Sequence, residues 1–272
     1  MDIIKAVILG IVQGLTEFLP VSSSGHLVLL QKIFGIKAPP LLLETLLHTG
    51  TLAAVVLVLR KDILEILKRP FQPLTLYLII ATVPAVIAAL AFSGIIGHAF
   101  ESGEFLGFCF LVTTVFLITA EIVSKRINTD NNLKKKENMT WLDALAIGVM
   151  QAIAIIPGIS RSGATISGAL ARKLDRDLAA RFSFLLLIPA ILGALVLHVK
   201  EFVKGGDVET SVESLSASAI AAGTITAAIT GFFAVKLMLK IIREKSLFGF
   251  AAYTGILGML ILLDQYVTHI IF

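Results

Sequence analysis

Two short segments, Pro20-Val21-Ser22-Ser23-Ser24-Gly25 and Pro157-Gly158-Ile159-Ser160-Arg161-Ser162-Gly163, interrupt otherwise apolar sequence and decide the fold. Each places a proline and a cluster of serine and glycine inside a stretch, 3–34 or 141–172, that is apolar enough to enter a bilayer. Non-helical backbone at membrane depth is tolerated only where protein or a water-filled cavity covers it. We therefore expect each stretch to form a re-entrant helical hairpin that enters the membrane and turns back.

The rest of the chain is dominated by long apolar segments. Hydrophobic residues make up 57% of the 272 residues and charged residues only 15%, whereas soluble domains carry about 25% charged residues. Each segment is about as long as a helix that crosses the hydrocarbon core. The predicted transmembrane helices cover residues 43–59, 74–92, 105–122, 182–199, 216–236 and 248–263. Residues 1–272 are therefore predicted to form a single membrane domain, all-α, with six transmembrane helices plus two re-entrant hairpins.

The two interrupted stretches are related by an internal duplication. At a shift of 138 residues, five positions of the first stretch meet the same residue types in the second: Gly10, Gln13, Ser22, Ser24 and Gly25 meet Gly148, Gln151, Ser160, Ser162 and Gly163. Later segments match at shifts of 139 and 142 residues. The nearly constant offset predicts two repeats, 1–123 and 141–272, joined by a polar linker at 124–140. Each repeat holds a hairpin plus three crossings, and an odd number of crossings gives an inverted-topology repeat.

The basic residues divide unequally between the two faces that this topology predicts. One face collects four clusters, which lie within 60–69, 125–136, 172–181 and 236–245. The other face holds Lys5, Lys32, Lys37, Lys200 and Lys204. The positive-inside rule puts the richer face, with the linker 124–140, in the cytoplasm. Both termini and the mouth of the first hairpin then face outward. Because the basic residues stand in clusters between apolar runs, the net charge of +4 does not indicate a nucleic-acid partner.

Ionisable residues inside the apolar stretches are the candidates for chemistry. Glu17 lies four residues after Gln13, so both side chains share one helix face, and a carboxylate placed there is a functional hypothesis by default. The alternative is a partly exposed carboxylate at the membrane interface. Arg161 stands in the second Ser/Gly turn, where a permanently charged guanidinium and exposed backbone N–H groups suit phosphate. Arg161 could instead be the structural partner of Glu17, and such a pair could also hold the site until substrate arrives.

Ser23 and His26 offer a nucleophile and a base. A serine hydroxyl needs a nearby base in order to attack, and neutral histidine is the usual one. Alternatively, the serines of this turn only satisfy backbone groups and cap a helix that starts near Gly25, and His26 is a buried structural residue. Glu44 and His48, spaced i, i+4 on the first transmembrane helix, could ligate a metal or shuttle protons. They could equally form a structural hydrogen-bonded pair.

These segments resemble a known family. Residues 13–26 and 157–165 are similar to the two signatures of the undecaprenyl-diphosphatase (undecaprenyl pyrophosphate phosphatase) family, and the likeness covers nearly the whole chain. The resemblance implies a bacterial inner-membrane enzyme that removes the terminal phosphate of undecaprenyl diphosphate. The product is the lipid carrier for cell-wall synthesis, and such enzymes are tied to bacitracin resistance. The resemblance also implies a homodimer and a requirement for a divalent cation, Mg²⁺ or Ca²⁺.

By motif position, the resemblance assigns catalysis to Glu17, Ser23, His26 and Arg161. The two turns predicted to bind the substrate phosphates contribute Ser22, Ser24, Gly25, Ser160, Arg161, Ser162 and Gly163. Glu17 is the expected metal ligand, with Gln13 as a second candidate. Gln13 departs from the commoner glutamate and removes one anionic ligand, so metal binding would rest more on Glu17 and substrate oxygens. Glu44 and His48 are expected to contact and orient these residues rather than the substrate.

Other functions and mechanisms fit parts of the same pattern. A secondary transporter or lipid flippase shares inverted repeats with broken helices, but it would move its substrate without releasing phosphate. An intramembrane serine protease would use Ser23 and His26, but it gives Arg161 no role. Within the phosphatase hypothesis, either Ser23 attacks with His26 as base or acid, or a directly activated water attacks. Both versions predict that Arg161→Ala abolishes turnover.

Overall fold

The chain is helical throughout the part that the structure describes. The structure is a computed structural model that describes residues 2–36, 40–128, 133–203 and 216–272. Within these ranges the side chains are described except at 40–43, 127–128 and 197–203. No β-strand occurs in the described ranges, apart from one isolated bridge between Lys134 and Leu174.

The helices of the first half are α1 (Ile3–Thr16), α2 (Ser23–Phe34), α3 (Pro40–Val58), α4 (Arg60–Lys68), α5 (Pro73–Ala91), α6 (Ser93–Ser102) and α7 (Leu106–Asn128). A 3₁₀ turn follows at Lys136–Asn138. The helices of the second half are α8 (Trp141–Ile153), α9 (Arg161–Ala171), α10 (Arg176–Val203), α11 (Ala217–Glu244) and α12 (Phe248–Leu263). A π-helical turn at Asp264–Thr268 continues α12.

Five of these helices, α5, α7, α10, α11 and α12, are long and apolar enough to cross a membrane. The chain is therefore a multi-pass membrane protein, and five of the six predicted transmembrane segments are confirmed as helices of that kind. The sixth segment, 43–59, corresponds to α3. The part of α3 with described side chains, Glu44–Val58, is a shorter apolar helix, so its crossing stays a prediction.

Two short helices, α4 and α6, were not anticipated from the sequence. Each is separated from the long helix before it by one residue, Leu59 or Phe92, whose backbone is not helical. Hydropathy continues from α5 into α6, and the charged start of α4 marks the end of the predicted transmembrane segment without predicting a new helix. They turn the chain at the ends of α3 and α5 instead of letting those helices run on.

The two interrupted stretches fold as helical hairpins whose ends lie together. In the first, α1 and α2 meet at their open end, where Lys5 Nζ donates to the carbonyl oxygen of Phe34 at 2.8 Å. In the second, Arg172 at the end of α9 donates through Nε to Asp143 near the start of α8, at 2.8 Å. The two closed ends meet each other, because Ser162 Oγ donates to the carbonyl oxygen of Leu19 at 3.0 Å.

The hairpins open at opposite ends of α7. Just before α7, Gly103 lies beside Lys32 of α2 and Phe272, and the Lys32 ammonium stands 5.1 Å from the centre of that ring. At the other end of α7, Glu121 accepts from Arg176 Nη2 at 2.6 Å. Arg176 lies five residues after the end of α9 and two residues after the bridge at Leu174. The mouths are therefore far apart, and the closed ends meet between them.

Ion pairs join the four basic clusters at one end of the molecule. The pairs between clusters or their neighbouring segments are Lys136–Glu65 at 2.6 Å, Arg181–Asp62 at 3.0 Å, Arg172–Asp143 at 2.8 Å and Arg243–Asp177 at 2.5 Å. The hydrogen bond and charge of Lys136 lower the pKa of the exposed Glu65 carboxyl. These contacts confirm that the clusters share one face. Lys37, Lys204 and the linker residues 129–132 lie outside the described residues.

Helix pairing repeats between the two halves. Helix α1 packs along α11, and α8 packs along α5. In the first pair, a Cβ on Gly10 would overlap the backbone of Gly223, and in the second, a Cβ on Gly148 would overlap the backbone of Ala81. Residues without side chains allow such close helix contacts. The same kind of contact therefore recurs at positions 138 residues apart.

Buried aromatic residues pack against the point where the closed ends of the hairpins meet. The fully buried rings of Phe18 and Phe184 pack edge to face, with centroids 5.4 Å apart. Phe18 follows Glu17 directly, so this packing anchors the chain next to that residue.

Candidate active site

Glu17 is the centre of the site. It caps the C-terminal end of α1 and is only 4% exposed. Its Oε2 accepts from Gln13 Nε2 at 2.9 Å and from Ser23 Oγ at 2.5 Å, and lies 2.9 Å from His48 Nε2. Its Oε1 accepts from Arg161 Nη2 at 2.5 Å. The common face predicted for Gln13 and Glu17 is confirmed, and the alternative in which Arg161 pairs with Glu17 is observed. Side chains from α1, α2, α3 and α9 thus converge on one carboxylate.

Arg161 has a second donor that meets no acceptor among the described residues. It is the first residue of α9, and its Nη1 is buried without a hydrogen-bond partner. A buried donor left unpaired costs free energy, more so when it is charged. Such a donor marks a place where an acceptor from outside the protein, above all an anion, would be stabilised.

The two Ser/Gly turns are built alike. Ser22 Oγ accepts from the Gly25 N–H at 3.2 Å and caps α2, while Ser160 Oγ accepts from the Gly163 N–H at 3.0 Å and caps α9. The capping role that the serine pattern allowed is confirmed, with α2 starting at Ser23. Ser22 also contacts Ser24, and Ser160 contacts Ser162, at 3.2 and 3.3 Å. Two helix N-termini therefore face the same small volume, and each carries the partial positive charge of unpaired N–H groups.

That volume is a polar cavity of about 110 Å³. Most of the predicted site residues line it: Glu17, Ser22, Ser23, Ser24, Glu44, His48, Ser160, Arg161 and Ser162. The two predicted glycines do not line it. A Cβ on Gly25 would meet Phe110, and a Cβ on Gly163 would meet Ser160. Their absence of side chain lets the hairpin ends pack closely rather than contacting the cavity.

Glu44 and His48 belong to the same cluster. His48 Nδ1 lies 2.7 Å from the carbonyl oxygen of Glu44, and Nε2 lies 3.8 Å from the Glu44 carboxylate. The predicted pairing of these two residues is confirmed. No periodicity links His48 to Glu17, which lies on a different helix, so only the family resemblance placed His48 near the site.

The chain is similar to known proteins over nearly its whole length. The family model described as bacitracin resistance protein BacA matches residues 6–260. The chain belongs to this family. An undecaprenyl-diphosphatase of Carboxydothermus hydrogenoformans is 47% identical over 265 residues, which cover 97% of this chain and 98% of that protein. Undecaprenyl-diphosphatase 3 of Bacillus cereus is 44% identical over 266 residues, 98% of each chain. Undecaprenyl-diphosphatase of Halothermothrix orenii is 41% identical over 265 residues, 97% of this chain and 98% of that protein.

The comparisons confirm the resemblance seen in the two signatures. Each of these BacA relatives carries the name of an enzyme, and each is matched over nearly its full length. The two signatures are the segments that form the closed ends of the hairpins. The family likeness and the cavity therefore point to the same part of the molecule.

His26 was predicted to act on Ser23, but in the structure it does not bind the Ser23 hydroxyl. Its Nδ1 lies 2.6 Å from the carbonyl oxygen of Ser22, and its Nε2 lies 2.7 Å from the hydroxyl of Tyr253. It does not line the polar cavity. The hydroxyl of Ser23 binds Glu17 instead. Tyr253 was missed in the sequence because a single tyrosine in the last apolar segment carries no pattern.

An apolar cleft of about 360 Å³ adjoins the polar cavity. Glu44, His48 and Arg161 line both spaces. The rest of the cleft is formed mainly by apolar residues of α5, α6 and α10: Ala89, Ile96, Phe100, Leu187, Ala190, Ile191 and Ala194. A larger cavity, of about 460 Å³ between α4, α5 and α10, is lined almost wholly by apolar side chains and by none of the predicted site residues.

The BacA resemblance implies a divalent cation, and two oxygen atoms of the site suit one. Within the described ranges, no group of three or more His, Cys, Asp or Glu side chains is arranged to hold a metal ion. Gln13 Oε1, however, is buried without a partner beside the Glu17 carboxylate. Mg²⁺ and Ca²⁺ take six or more oxygen ligands, so substrate and water would complete the set. Glu17 and Gln13 therefore fit as the protein's share of a site.

Proposed function

We propose that this chain hydrolyses undecaprenyl diphosphate to undecaprenyl phosphate and inorganic phosphate. Such an activity would recycle the lipid carrier for cell-wall synthesis and confer bacitracin resistance. The observation that carries the proposal is a polar cavity with an unpaired Arg161 donor, adjoining an apolar cleft. An amphiphile with a phosphate head and a hydrocarbon tail matches both spaces at once. The names of the relatives supply the particular lipid.

The diphosphate head would bind where the two hairpins meet. Arg161 Nη1 is buried and lacks an acceptor, which a phosphate oxygen would provide. The first turns of α2 and α9 add backbone N–H groups and the positive ends of two helix dipoles. Ser24, which lines the cavity, adds a hydroxyl donor. A twofold arrangement of N-termini suits a ligand that carries two phosphoryl groups.

The hydrocarbon tail would lie in the cleft between α5, α6 and α10. Since Arg161 lines both the cleft and the polar cavity, a lipid in the cleft would have its head beside that guanidinium. Ala190 and Ala194 leave room along α10, and Ile96 and Phe100 supply apolar surface from α6. Burial of hydrocarbon there provides binding energy that is independent of the reacting phosphate.

Ser23 and Glu17 are the proposed nucleophile and base. The Ser23 hydroxyl already donates to Glu17 Oε2 at 2.5 Å, so Glu17 can take its proton as Ser23 Oγ attacks the terminal phosphorus. The bond from that phosphorus to the bridging oxygen breaks, and undecaprenyl phosphate leaves. Water then hydrolyses the phosphoserine and releases inorganic phosphate. In the alternative, Glu17 takes the proton from a water that attacks directly.

The remaining groups stabilise charge. Arg161 neutralises charge that develops on the transferred phosphoryl oxygens. His48, on the same carboxylate oxygen as Ser23, fixes the orientation of Glu17. A divalent cation, Mg²⁺ or Ca²⁺, held by Glu17 and Gln13 Oε1 would further neutralise the phosphates. Assembly as a homodimer is part of the proposal through the family resemblance alone.

The proposed place of the protein is the plasma membrane of a bacterium, the inner membrane where there are two. The basic clusters would face the cytoplasm, following the positive-inside rule. The hairpins would then be re-entrant from opposite sides, since their mouths lie at opposite ends of α7. The termini would be outside, and the cavity would open to the outer face.

The proposal is tested by phosphate release from a long-chain prenyl diphosphate by detergent-purified protein. The assay is run with and without EDTA, beside Arg161→Ala and a control, Arg243→Ala, which alters an ion pair at the basic end. Release by the wild type and the control, and none by Arg161→Ala, is the expected result. Full activity of Arg161→Ala would contradict it. If no protein releases phosphate in lipid-containing conditions, transport in liposomes becomes the function to test.

A further inference from the structure

The hydrogen bonds of His26 define its tautomer. Nδ1 faces the carbonyl oxygen of Ser22 at 2.6 Å. A carbonyl oxygen only accepts, so Nδ1 carries the proton and donates it. In the neutral ring Nε2 then has the lone pair, and the Tyr253 hydroxyl, 2.7 Å away, donates to it. His26 therefore has no free nitrogen with which to take a proton from Ser23.

Two aromatic rings hold the imidazole in place. The Tyr253 ring stacks on it at an interplanar angle of 4°, with centroids 5.7 Å apart. The Phe110 ring meets it edge on, at 86° and 5.4 Å. His26 is 8% exposed, so the ring is enclosed as well as hydrogen-bonded. This environment fits a side chain whose orientation matters more than its access to substrate.

The acceptor of the His26 hydrogen bond is a strained residue. Ser22 has φ of 68° and ψ of 94°, a conformation that residues other than glycine rarely adopt. Strain of this kind persists only where the surroundings impose it, and it is frequent at active sites. The carbonyl of Ser22 accepts twice from His26, from the backbone N–H at 3.2 Å and from Nδ1. Ser23 follows directly, so the backbone of Ser22 sets the direction of the Ser23 hydroxyl.

We propose that Tyr253 is a positioning residue of the active site. It fixes His26, His26 holds Ser22 in its strained conformation, and Ser23 Oγ is thereby aimed at Glu17. Tyr253 lies on α12 in the second half of the chain, and the residues it controls lie on α2 in the first. The inference rests on the proposed function, because aiming Ser23 affects turnover only if Ser23 or its water reacts at phosphorus.

The first test separates positioning from base catalysis at His26. An asparagine amide nitrogen occupies nearly the place of Nδ1 and can donate to the Ser22 carbonyl, but asparagine is no base. Positioning predicts that His26→Asn keeps at least about ten times the kcat of His26→Ala, the factor expected for one hydrogen bond in a buried site. Equal loss of kcat in the two variants would overturn the proposal.

The second test removes the Tyr253 hydroxyl. Tyr253→Phe is expected to lower kcat about three- to tenfold, the effect of one hydrogen bond, with KM little changed because the cavity is untouched. Tyr266→Phe is the matched control, since Tyr266 is 65% exposed and its ring contacts Phe108. An unchanged kcat in Tyr253→Phe, or a loss in KM alone, would contradict positioning.

A double-mutant cycle tests whether Ser22 is the residue being held. Glycine adopts positive φ without strain and still serves as a helix N-cap at small cost. Whatever Ser22→Gly does to the rate, Tyr253→Phe should cost much less kcat in that background than in the wild type. The same loss in both backgrounds would show that Tyr253 does not act through the Ser22 backbone.

A measurement without turnover keeps this inference separate from the proposed function. Histidines labelled with ¹⁵N are observed by NMR in detergent, and His26→Asn assigns the His26 signals. The proton is expected on Nδ1 in the wild type, and the Nε2 signal is expected to shift in Tyr253→Phe. A proton on Nε2 would overturn the inference even in an active enzyme. With the expected spectrum, absence of phosphate release would overturn only the proposed function.

Discussion

Arg161 serves two acceptors, one inside the protein and one that substrate would bring. Nη2 binds Glu17, and Nη1 is buried without a partner in the part of the chain that the structure describes. A lysine keeps the charge but loses the planar, two-pronged geometry. We expect Arg161→Lys to lower kcat/KM for a prenyl diphosphate by about 10²- to 10³-fold, as removal of one transition-state donor does. Arg243→Lys at the basic end should be unaffected. A kcat/KM near the wild-type value in Arg161→Lys would show that the unpaired Nη1 has no substrate role.

Ser23 distinguishes the two routes of hydrolysis. If Ser23 attacks, enzyme quenched in acid after mixing with substrate labelled in its terminal phosphate should retain label, and Ser23→Ala should retain none. The kcat of Ser23→Ala should fall by at least about 10³-fold, since the nucleophile is gone. If water attacks, no label is trapped and Ser23→Ala loses only the hydrogen bond to Glu17, about tenfold in kcat.

The sequence predicted which residues would be in the site better than it predicted their partners. Glu17 and Arg161 were identified because a charge inside an apolar stretch is costly and is a functional hypothesis by default. Their pairing was one of the alternatives considered for Arg161. The partner of Ser23 was predicted from spacing alone. Spacing ignores how an N-terminal turn directs side chains, and Ser23 at the first position of α2 points back to the end of α1. His26 therefore hydrogen-bonds to Tyr253, which lies 227 residues later in the chain.

Among the helices, sequence reasoning succeeded where a break in composition coincides with a break in structure. Proline with serine and glycine marked both hairpin turns, and the structure closes a hairpin at each. It failed at α4 and α6, where a single non-helical residue, without a proline, separates each short helix from the long helix before it. Two long helices are also longer than predicted. Helices α10 and α11 extend into the charged clusters that were assigned to loops.

The close contacts of α1 with α11 and of α8 with α5 make a stability prediction. Alanine at Gly10 or Gly148 would place Cβ against the backbone of the facing helix, which cannot move as a side chain would. Overpacking of this kind costs about 1–3 kcal/mol, so each variant should melt roughly 5 °C lower in detergent. Gly193→Ala is the control, because its Cβ would meet nothing within 4 Å, and alanine favours a helix. Equal melting temperatures in all three would mean that the helices are not in contact at Gly10 and Gly148.

Across the molecule, the ion pairs at the basic end explain how a chain with many positive charges on one face remains compact there. Lys134 and Arg172 both bind Asp143, whose side chain is fully buried, and Arg176 binds the buried Glu121. These acidic residues tie the start of α8, the end of α9 and α7 together. The sequence predicted the clusters and their common face, but not this acidic counterpart, because Asp143 and Glu121 sit in apolar helices without a repeating pattern.

The common face of the clusters leads to a prediction about the orientation of the whole chain. In a Cys109→Ser background, which removes the single, buried cysteine, new cysteines are placed at exposed positions of either end. Asp2→Cys and Val267→Cys should react with a membrane-impermeant thiol reagent in intact cells, because the termini are predicted to be outside. Glu137→Cys and Lys245→Cys, at the basic end, should react only after the membrane is opened. The reverse pattern would show that the chain has the opposite orientation, with the polar cavity on the cytoplasmic side. It would leave the chemistry at Glu17 untouched but change which pool of lipid diphosphate the enzyme can reach.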